Sequence, residues 1–127
     1  MEPAHIVHAD DDVIAFLDTR PVFKGHTLVV PVRHVDTLVE LPAELFVPLL
    51  GTVQRLAAAV RVAFGAQGSF VGSNNVVSQS VPHLHMHVVP RTKGDGLRGF
   101  FWPRQKYAGE HDMAEHAERL RRALAAA

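Results

Sequence analysis

His83-Leu84-His85-Met86-His87-Val88-Val89 alternates three histidines with apolar residues, and Pro90-Arg91 close the run. Period-two alternation is the pattern of a β-strand with one buried face. Successive side chains of a strand point to opposite faces, so His83, His85 and His87 are expected together on one face. Leu84, Met86 and Val88 are expected on the other. Same-face neighbours lie roughly 6.5 Å apart along a strand, which lines three imidazoles along one small surface. A lone histidine in such a place is usually a satisfied core or surface residue. Three in strict alternation would each need partners, because burying unpaired polar groups costs free energy. The run therefore reads as a functional site. Two chemistries compete for it. One is metal ligation, imidazole being the commonest metal ligand. The other is phosphorus chemistry, with a neutral imidazole as nucleophile and its neighbours as proton donors and phosphate contacts.

The residues around the run favour phosphorus. A zinc site needs three or four ligands converging on one point at about 2 Å. Three histidines along one flat strand do not converge naturally, although two could do so with His26 or His34 from elsewhere. Gln79 and Ser80 stand just before the run, Asn74 and Asn75 a little earlier, and His26 starts a strand that could lie nearby. Together they offer donors for phosphate oxygens without a metal. A dinucleotide-binding glycine fingerprint, a P-loop and a G-x-S-x-G elbow are all absent from the sequence.

Val13-Ile14-Ala15-Phe16-Leu17 is a compact apolar run, read as a buried strand that stops at the turn residues Asp18-Thr19-Arg20-Pro21. Lys24-Gly25 leads into a second β-branched strand over residues 26–32, and the two make an antiparallel hairpin. Residues 5–8 read as a first edge strand, with His5 and His8 facing solvent, and Asp10-Asp11-Asp12 as a turn. Pro42 suits the first position of a helix whose Leu45, Phe46, Leu49, Leu50, Val53, Leu56, Ala57 and Val60 share one face. Pro48 should bend this helix or delay its start, and Gly65 and Gly68 end it. Ser69-Phe70-Val71-Gly72 resumes extended structure. Phe100-Phe101-Trp102-Pro103 is expected to pack on the body or on a second subunit. A terminal helix over residues 111–124 should turn Met113, Leu120 and Leu124 inward and keep Glu115, Glu118, Arg119, Arg121 and Arg122 in solvent.

The chain has 127 residues, 47% of them hydrophobic, which fits one soluble globular domain over residues 1–127. Net charge is +0 and no lysine or arginine run stands out, which argues against nucleic-acid or membrane-surface binding. There is no cysteine, so disulfides and thiolate metal sites are excluded. No segment is read as a membrane span or a secretory signal, and the cytoplasm is the default location.

Residues 79–89 resemble the signature of the histidine triad (HIT) family, His-x-His-x-His-x-x with apolar x. Ala15-Phe16-Leu17-Asp18, then Gly25-His26-Thr27-Leu28-Val29-Val30-Pro31, then His34 are similar to the family's N-terminal half in the same order. The resemblance covers about residues 11–91 and leaves 92–127 as an aromatic tail and helix. It implies an α+β fold, a five-stranded antiparallel sheet with one long helix and a C-terminal helix, and a homodimer. It also implies a nucleotide hydrolase or nucleotidyltransferase acting at the α-phosphorus of nucleoside monophosphate derivatives. In that reading His85 is the nucleophile and forms a nucleotidyl-histidine intermediate. His83 orients it through a backbone carbonyl, and His87 and His26 contact the α-phosphate or hold the site. Gln79 and Ser80 bond the phosphate or leaving group, with Asn74 or Asn75 nearby. Asp18 holds the ribose hydroxyls, and Phe16 and Leu17 wall the pocket for a purine base. Many relatives bind structural zinc through a Cys-x-x-Cys segment and two histidines. Only His34 and His83 match here, so neither metal nor cofactor is expected. Lys24 stands where the family often has proline, and is taken as solvated. Two other readings stay open, a non-catalytic nucleotide sensor and a metal-dependent hydrolase.

Overall fold

The structure, a computed structural model, describes residues 2–98 and 103–126. Phe100, Phe101 and Trp102 lie outside the described residues. By its contacts the chain forms two compact units, Met1–Asp95 and Gly96–Ala127.

The first unit holds strands β1 (Ile6–Ala9), β2 (Val13–Leu17), β3 (Thr27–Pro31), β4 (Gly68–Gly72) and β5 (Met86–Arg91), with helix α1 (Phe46–Phe64) between β3 and β4. The sheet is antiparallel throughout, in the order β1-β2-β3-β5-β4. This is the five-stranded sheet that the resemblance implies. Alternation sorts each strand's side chains between two faces. Val13, Ala15, Val29, Met86 and Val88 turn inward and, with Leu84, meet Leu45, Leu49, Val53 and Val60 in the core. Ile14, Phe16, Leu28 and Val30 lie on the opposite face of the sheet, where Ile14 pairs with Val30 and Phe16 with Leu28. Between β1 and β2, Asp10 makes the expected turn by accepting from the Asp12 and Val13 amides, both at 2.8 Å. His8 at 2.8 Å, with those amides, holds the Asp10 carboxyl down at about 2.

The expectations for the long helix change. The helix does not begin at Pro42. That proline caps a 3-10 turn, Ala43–Leu45, and α1 starts at Phe46, which leaves Pro48 in the first turn where its missing N–H is harmless. Phe46 and Leu50 are about half exposed, so the buried face is the narrower set Leu49, Val53 and Val60. The apolar positions of this helix span more than the single stripe a sheet can cover. Residues 43–64 are also long and apolar enough in composition to cross a membrane, which the sequence reading overlooked. Here that helix packs its inner face on the sheet.

In the second unit, α2 (Glu110–Ala126) has no buried residue, and Met113, Leu120 and Leu124 are exposed instead of turned inward. Alanine-rich composition and local pairs stabilise it: Glu118 bonds Arg121 at 2.9 Å, and Asp112 caps the Ala108 amide at 2.9 Å.

Gly25 sits at φ +98°, which side chains other than glycine rarely adopt, and a Cβ there would collide with the Phe64 ring. Gly25→Ala is expected to cost about 2–3 kcal/mol of stability, read by urea unfolding. Because His26 follows directly, activity should fall with it.

Candidate active site

The histidine strand starts later than its alternation suggests. The β3–β5 ladder pairs Leu28 with His87 and Val29 with Met86 and stops there, so His83 and His85 precede β5. Their backbone groups are taken by other partners. The His83 carbonyl accepts from the His85 ring, the Leu84 amide donates to Val35 O at 2.7 Å, and the His85 carbonyl accepts from Ser73 Oγ at 2.8 Å. The in-and-out alternation survives without the ladder: Leu84 and Met86 are buried, and the three histidines are half-buried.

Each ring is oriented by a hydrogen bond. His85 Nδ1–H donates to its neighbour's carbonyl, His83 O, at 2.8 Å. In the neutral ring this leaves Nε2 with its lone pair. His83 Nε2–H donates to Pro31 O at 2.8 Å and Nδ1 accepts weakly from the Val35 amide at 3.4 Å. That histidine is therefore fastened on both nitrogens. His26 is almost fully buried at 4% exposure. Its Nδ1 accepts from the Val22 amide at 3.1 Å, which places its proton on Nε2. Nε2–H then donates to His87 Nδ1 at 2.9 Å. The tautomer is passed along: His87, accepting at Nδ1, carries its own proton on Nε2. The His85 and His87 rings meet nearly edge to face with centroids 5.1 Å apart.

Burial lowers the pKa of both His26 and His87, and for His87 the neighbouring His26 and His85 lower it further. Asp18, with Oδ2 3.7 Å from His26 Nε2, pulls weakly the other way. Both rings are thus held neutral at neutral pH.

A cleft of about 560 Å³ opens over these groups, lined by His83, His85 and His87 on one side and Ile14, Phe16, Leu28 and Val30 beneath. Asp18, Arg20, Ser80 and Val81 complete it. A second hollow of about 440 Å³ adjoins it across Phe16, Asp18 and Leu28, and takes in Leu17, Thr19, Glu2 and His5. The two share Phe16, Asp18 and Leu28, with the triad imidazoles lining the first and Glu2 and His5 the second.

The sequence-predicted residues fall into two groups. Phe16, Asp18, Ser80 and the three triad histidines line the cleft, His26 backs His87, and Leu17 lines the adjoining hollow. Gln79, Asn74 and Asn75 lie outside that lining. Gln79 donates to Asp36 O at 2.6 Å and accepts from the Val76 amide at 2.9 Å. Asn75 accepts from the Leu38 amide at 2.9 Å, and Asn74 donates to Ser78 O at 3.2 Å. These amides brace the loop over residues 74–80. Arg20 lines the cleft and was not singled out in sequence. The signal for it was its place two residues beyond Asp18, whose Oδ1 accepts the Arg20 amide at 2.9 Å. Lys24 is exposed, as expected.

Two places invite a metal. Asp18, His26 and His87 bring one donor atom each within 4.8 Å of one another, and His26 Nε2 is bonded to His87 Nδ1. His34 stacks on His83 with ring centroids 5.1 Å apart, matching the family's remaining zinc positions. His34 bonds Asp36 at 2.7 Å and both His83 nitrogens are engaged, so the donor set does not fit a zinc centre.

Comparison with known proteins agrees with this geometry. Residues 1–94 match the HIT domain family. The protein Hit of Bacillus subtilis strain 168 is 42% identical over 103 residues, covering 79% of this chain and 70% of that protein. A crystal structure of a HIT family member from Bacillus subtilis superposes with a TM-score of 0.83 at 34% identity, covering 95% of this chain and 88% of that one. The asymmetrical bis(5'-nucleosyl)-tetraphosphatase of Schizosaccharomyces pombe is 35% identical over 83 residues, covering 64% of this chain and 46% of that enzyme. With a family match spanning most of its length and these relatives, the chain belongs to the histidine triad (HIT) family.

Proposed function

We propose that this chain is a nucleotide hydrolase or nucleotidyltransferase that cleaves at the α-phosphorus of purine nucleoside monophosphate derivatives. The observation that carries the proposal is the 2.8 Å bond from His85 Nδ1–H to His83 O in a ring that lines the cleft. It leaves Nε2 as the nucleophile. The tetraphosphatase activity named for the fission-yeast relative supports the same reaction class.

The purine lies in the hollow walled by Phe16, Leu17 and Leu28, and Asp18 accepts from the ribose hydroxyls. Nε2 of His85 attacks phosphorus. As the N–P bond forms, the bond to the leaving group breaks and the leaving group departs with the electron pair. His87 Nε2–H donates to the phosphoryl oxygens or to the departing atom, with its tautomer held by His26. Water then attacks the nucleotidyl-histidine, loses its proton to a neighbouring imidazole, and returns the lone pair to His85. With another acceptor in place of water the same intermediate gives transfer. No step uses a metal, so turnover should withstand strong chelators. Gln79 and Ser80 stand at the leaving-group end, and for Gln79 this requires the loop over residues 74–80 to exchange its braces on binding.

A panel of adenosine and guanosine phosphoramidates, adenylates and dinucleoside polyphosphates tests the proposal, with rapid quench and intact-mass detection. An adduct of one nucleotidyl group on His85 is expected. Nucleotide binding without release of nucleoside monophosphate from any member would instead make the chain a sensor.

The homodimer reading is supported by two neighbouring features. β4 is an edge strand, and Val71 on it and Phe46, Val47 and Leu50 on α1 are exposed. Such apolar exposure next to an unpaired edge suits a second copy. Sedimentation at micromolar concentration should give twice the chain mass, and Leu50→Glu should give the monomer.

A further inference from the structure

We infer that Arg20 selects leaving groups that depart as anions, such as a phosphate chain or sulfate, over amines. The inference rests on the nucleotidyl-transfer reading above and names the half of the substrate which that reading leaves open.

The lining of the cleft holds two side chains of fixed charge, Asp18 and Arg20. Asp18 Oδ1 accepts the Arg20 amide at 2.9 Å, and Oδ2 lies 3.7 Å from His26 Nε2, beyond hydrogen-bond reach. That first bond ties the backbone of Arg20 to the carboxylate, and Pro21, which follows it, restricts the backbone of Arg20 itself. The root of the arginine is therefore fixed at the rim of the cleft. Its long side chain is exposed, and among the described residues no carboxylate forms an ion pair with it. The other polar groups assigned to phosphorus are the uncharged Ser80 and the imidazoles, and the shifts at His87 and at His26 behind it favour their neutral forms.

Position separates the possible roles. Arg20 lines the cleft that holds His83, His85 and His87 together with Phe16 and Leu28, and it does not line the adjoining hollow that takes in Leu17, Thr19, Glu2 and His5. It therefore shares a cleft with the imidazoles assigned to phosphorus and is absent from the hollow assigned to the base. In the first step charge accumulates on the departing group when that group is a phosphate or sulfate. A guanidinium there offsets the charge with planar, paired donors and without a proton transfer. An amine leaving group gains nothing from it, because it must take up a proton and leaves neutral or cationic. The charge at Arg20 therefore discriminates by leaving group.

The test compares adenosine 5′-phosphosulfate with adenosine 5′-phosphoramidate. They share the nucleotidyl half, and therefore the intermediate and its hydrolysis, and differ in the group expelled. The readout is the ratio of the two kcat/KM values. Arg20→Ala is expected to shift that ratio against the sulfate substrate by about tenfold to fiftyfold, the range for losing one charge-assisted contact. Arg20→Glu should shift it further in the same direction, and Arg20→Lys should keep most of the preference. Since the residue is exposed and its amide bond to Asp18 survives substitution, all three variants should melt with the unmodified chain. An unchanged ratio, including an equal fall for both substrates, would overturn the inference, since Arg20 would then serve the shared α-phosphate or nothing. Turnover of neither substrate by the unmodified chain would sink the hydrolase reading and this inference together.

Discussion

His85→Asn is expected to lower kcat/KM by about four orders of magnitude or more while nucleotide affinity stays within about threefold. The argument is geometric. Asparagine is close to the imidazole in size and can still donate to His83 O, so the local chain path survives. It has no lone pair on nitrogen to give to phosphorus. The hollow proposed for the base, at Phe16, Leu17 and Leu28, and the carboxylate of Asp18 are untouched. Equilibrium dialysis against a non-hydrolysable nucleotide measures the affinity, and single-turnover assays measure the rate. A variant that keeps even a tenth of the activity would remove His85 from the nucleophile's role.

The second large effect is expected from a residue that never reaches the substrate. His26→Leu should lower kcat by about a hundredfold to a thousandfold, in the range of lost general-acid support. His26 is buried and its Nε2–H is the donor to His87 Nδ1. With leucine there, His87 Nδ1 loses its partner and the proton is free to sit on either nitrogen. His26→Gln, which keeps an N–H near the same place, should recover part of the loss. A purely structural role would not produce that recovery. The pH dependence separates the two further. Burial first, then the neighbouring rings, hold His87 below the ordinary imidazole value of 6.5, so activity should persist to pH values under it before falling. Removing His26 takes away one of those causes and should move the acid limb upward. Stability follows the same sign. Both folded pKa values are depressed, so the unfolded chain binds more protons just below 6.5. Stability is fully present above that value and is lost as pH falls through the folded values.

Much of this arrangement could be read from the residues themselves. The hairpin of β2 and β3 follows from two β-branched runs around a turn, and the turn at Asp10 from three acids in a row. Alternation correctly paired His83 with His85 and His87 and set Leu84 and Met86 in the core. It could not tell that the ladder ends at Met86, because the competing partners of the backbone come from Val35 and Ser73, distant in sequence. Helical spacing placed Leu49, Val53 and Val60 correctly but overextended the buried face to Phe46 and Leu50. Periodicity gives an apolar face, and only the packing partner decides how much of it is covered. The same limit applies to Met113, Leu120 and Leu124 of α2. In the site, Asp18 and His26 are brought to the triad by tertiary pairing that their spacing from each other hints at. Gln79 and Asn75 were read as phosphate donors from side-chain type and, for Gln79, from the family resemblance; in the structure Gln79 donates to Asp36 O and accepts from the Val76 amide, and the Asn75 oxygen accepts from the Leu38 amide. Arg20 was passed over because a turn residue gives no periodic signal.

The central claim is that a nitrogen of His85 is bonded to phosphorus between two displacements. The stereochemical course at the α-phosphorus tests it most directly, using a substrate made chiral there with sulfur and an isotope of oxygen. Each in-line displacement inverts the centre, so the account predicts a product of retained configuration. A product of inverted configuration would mean that water attacks the substrate in one step, and would contradict it.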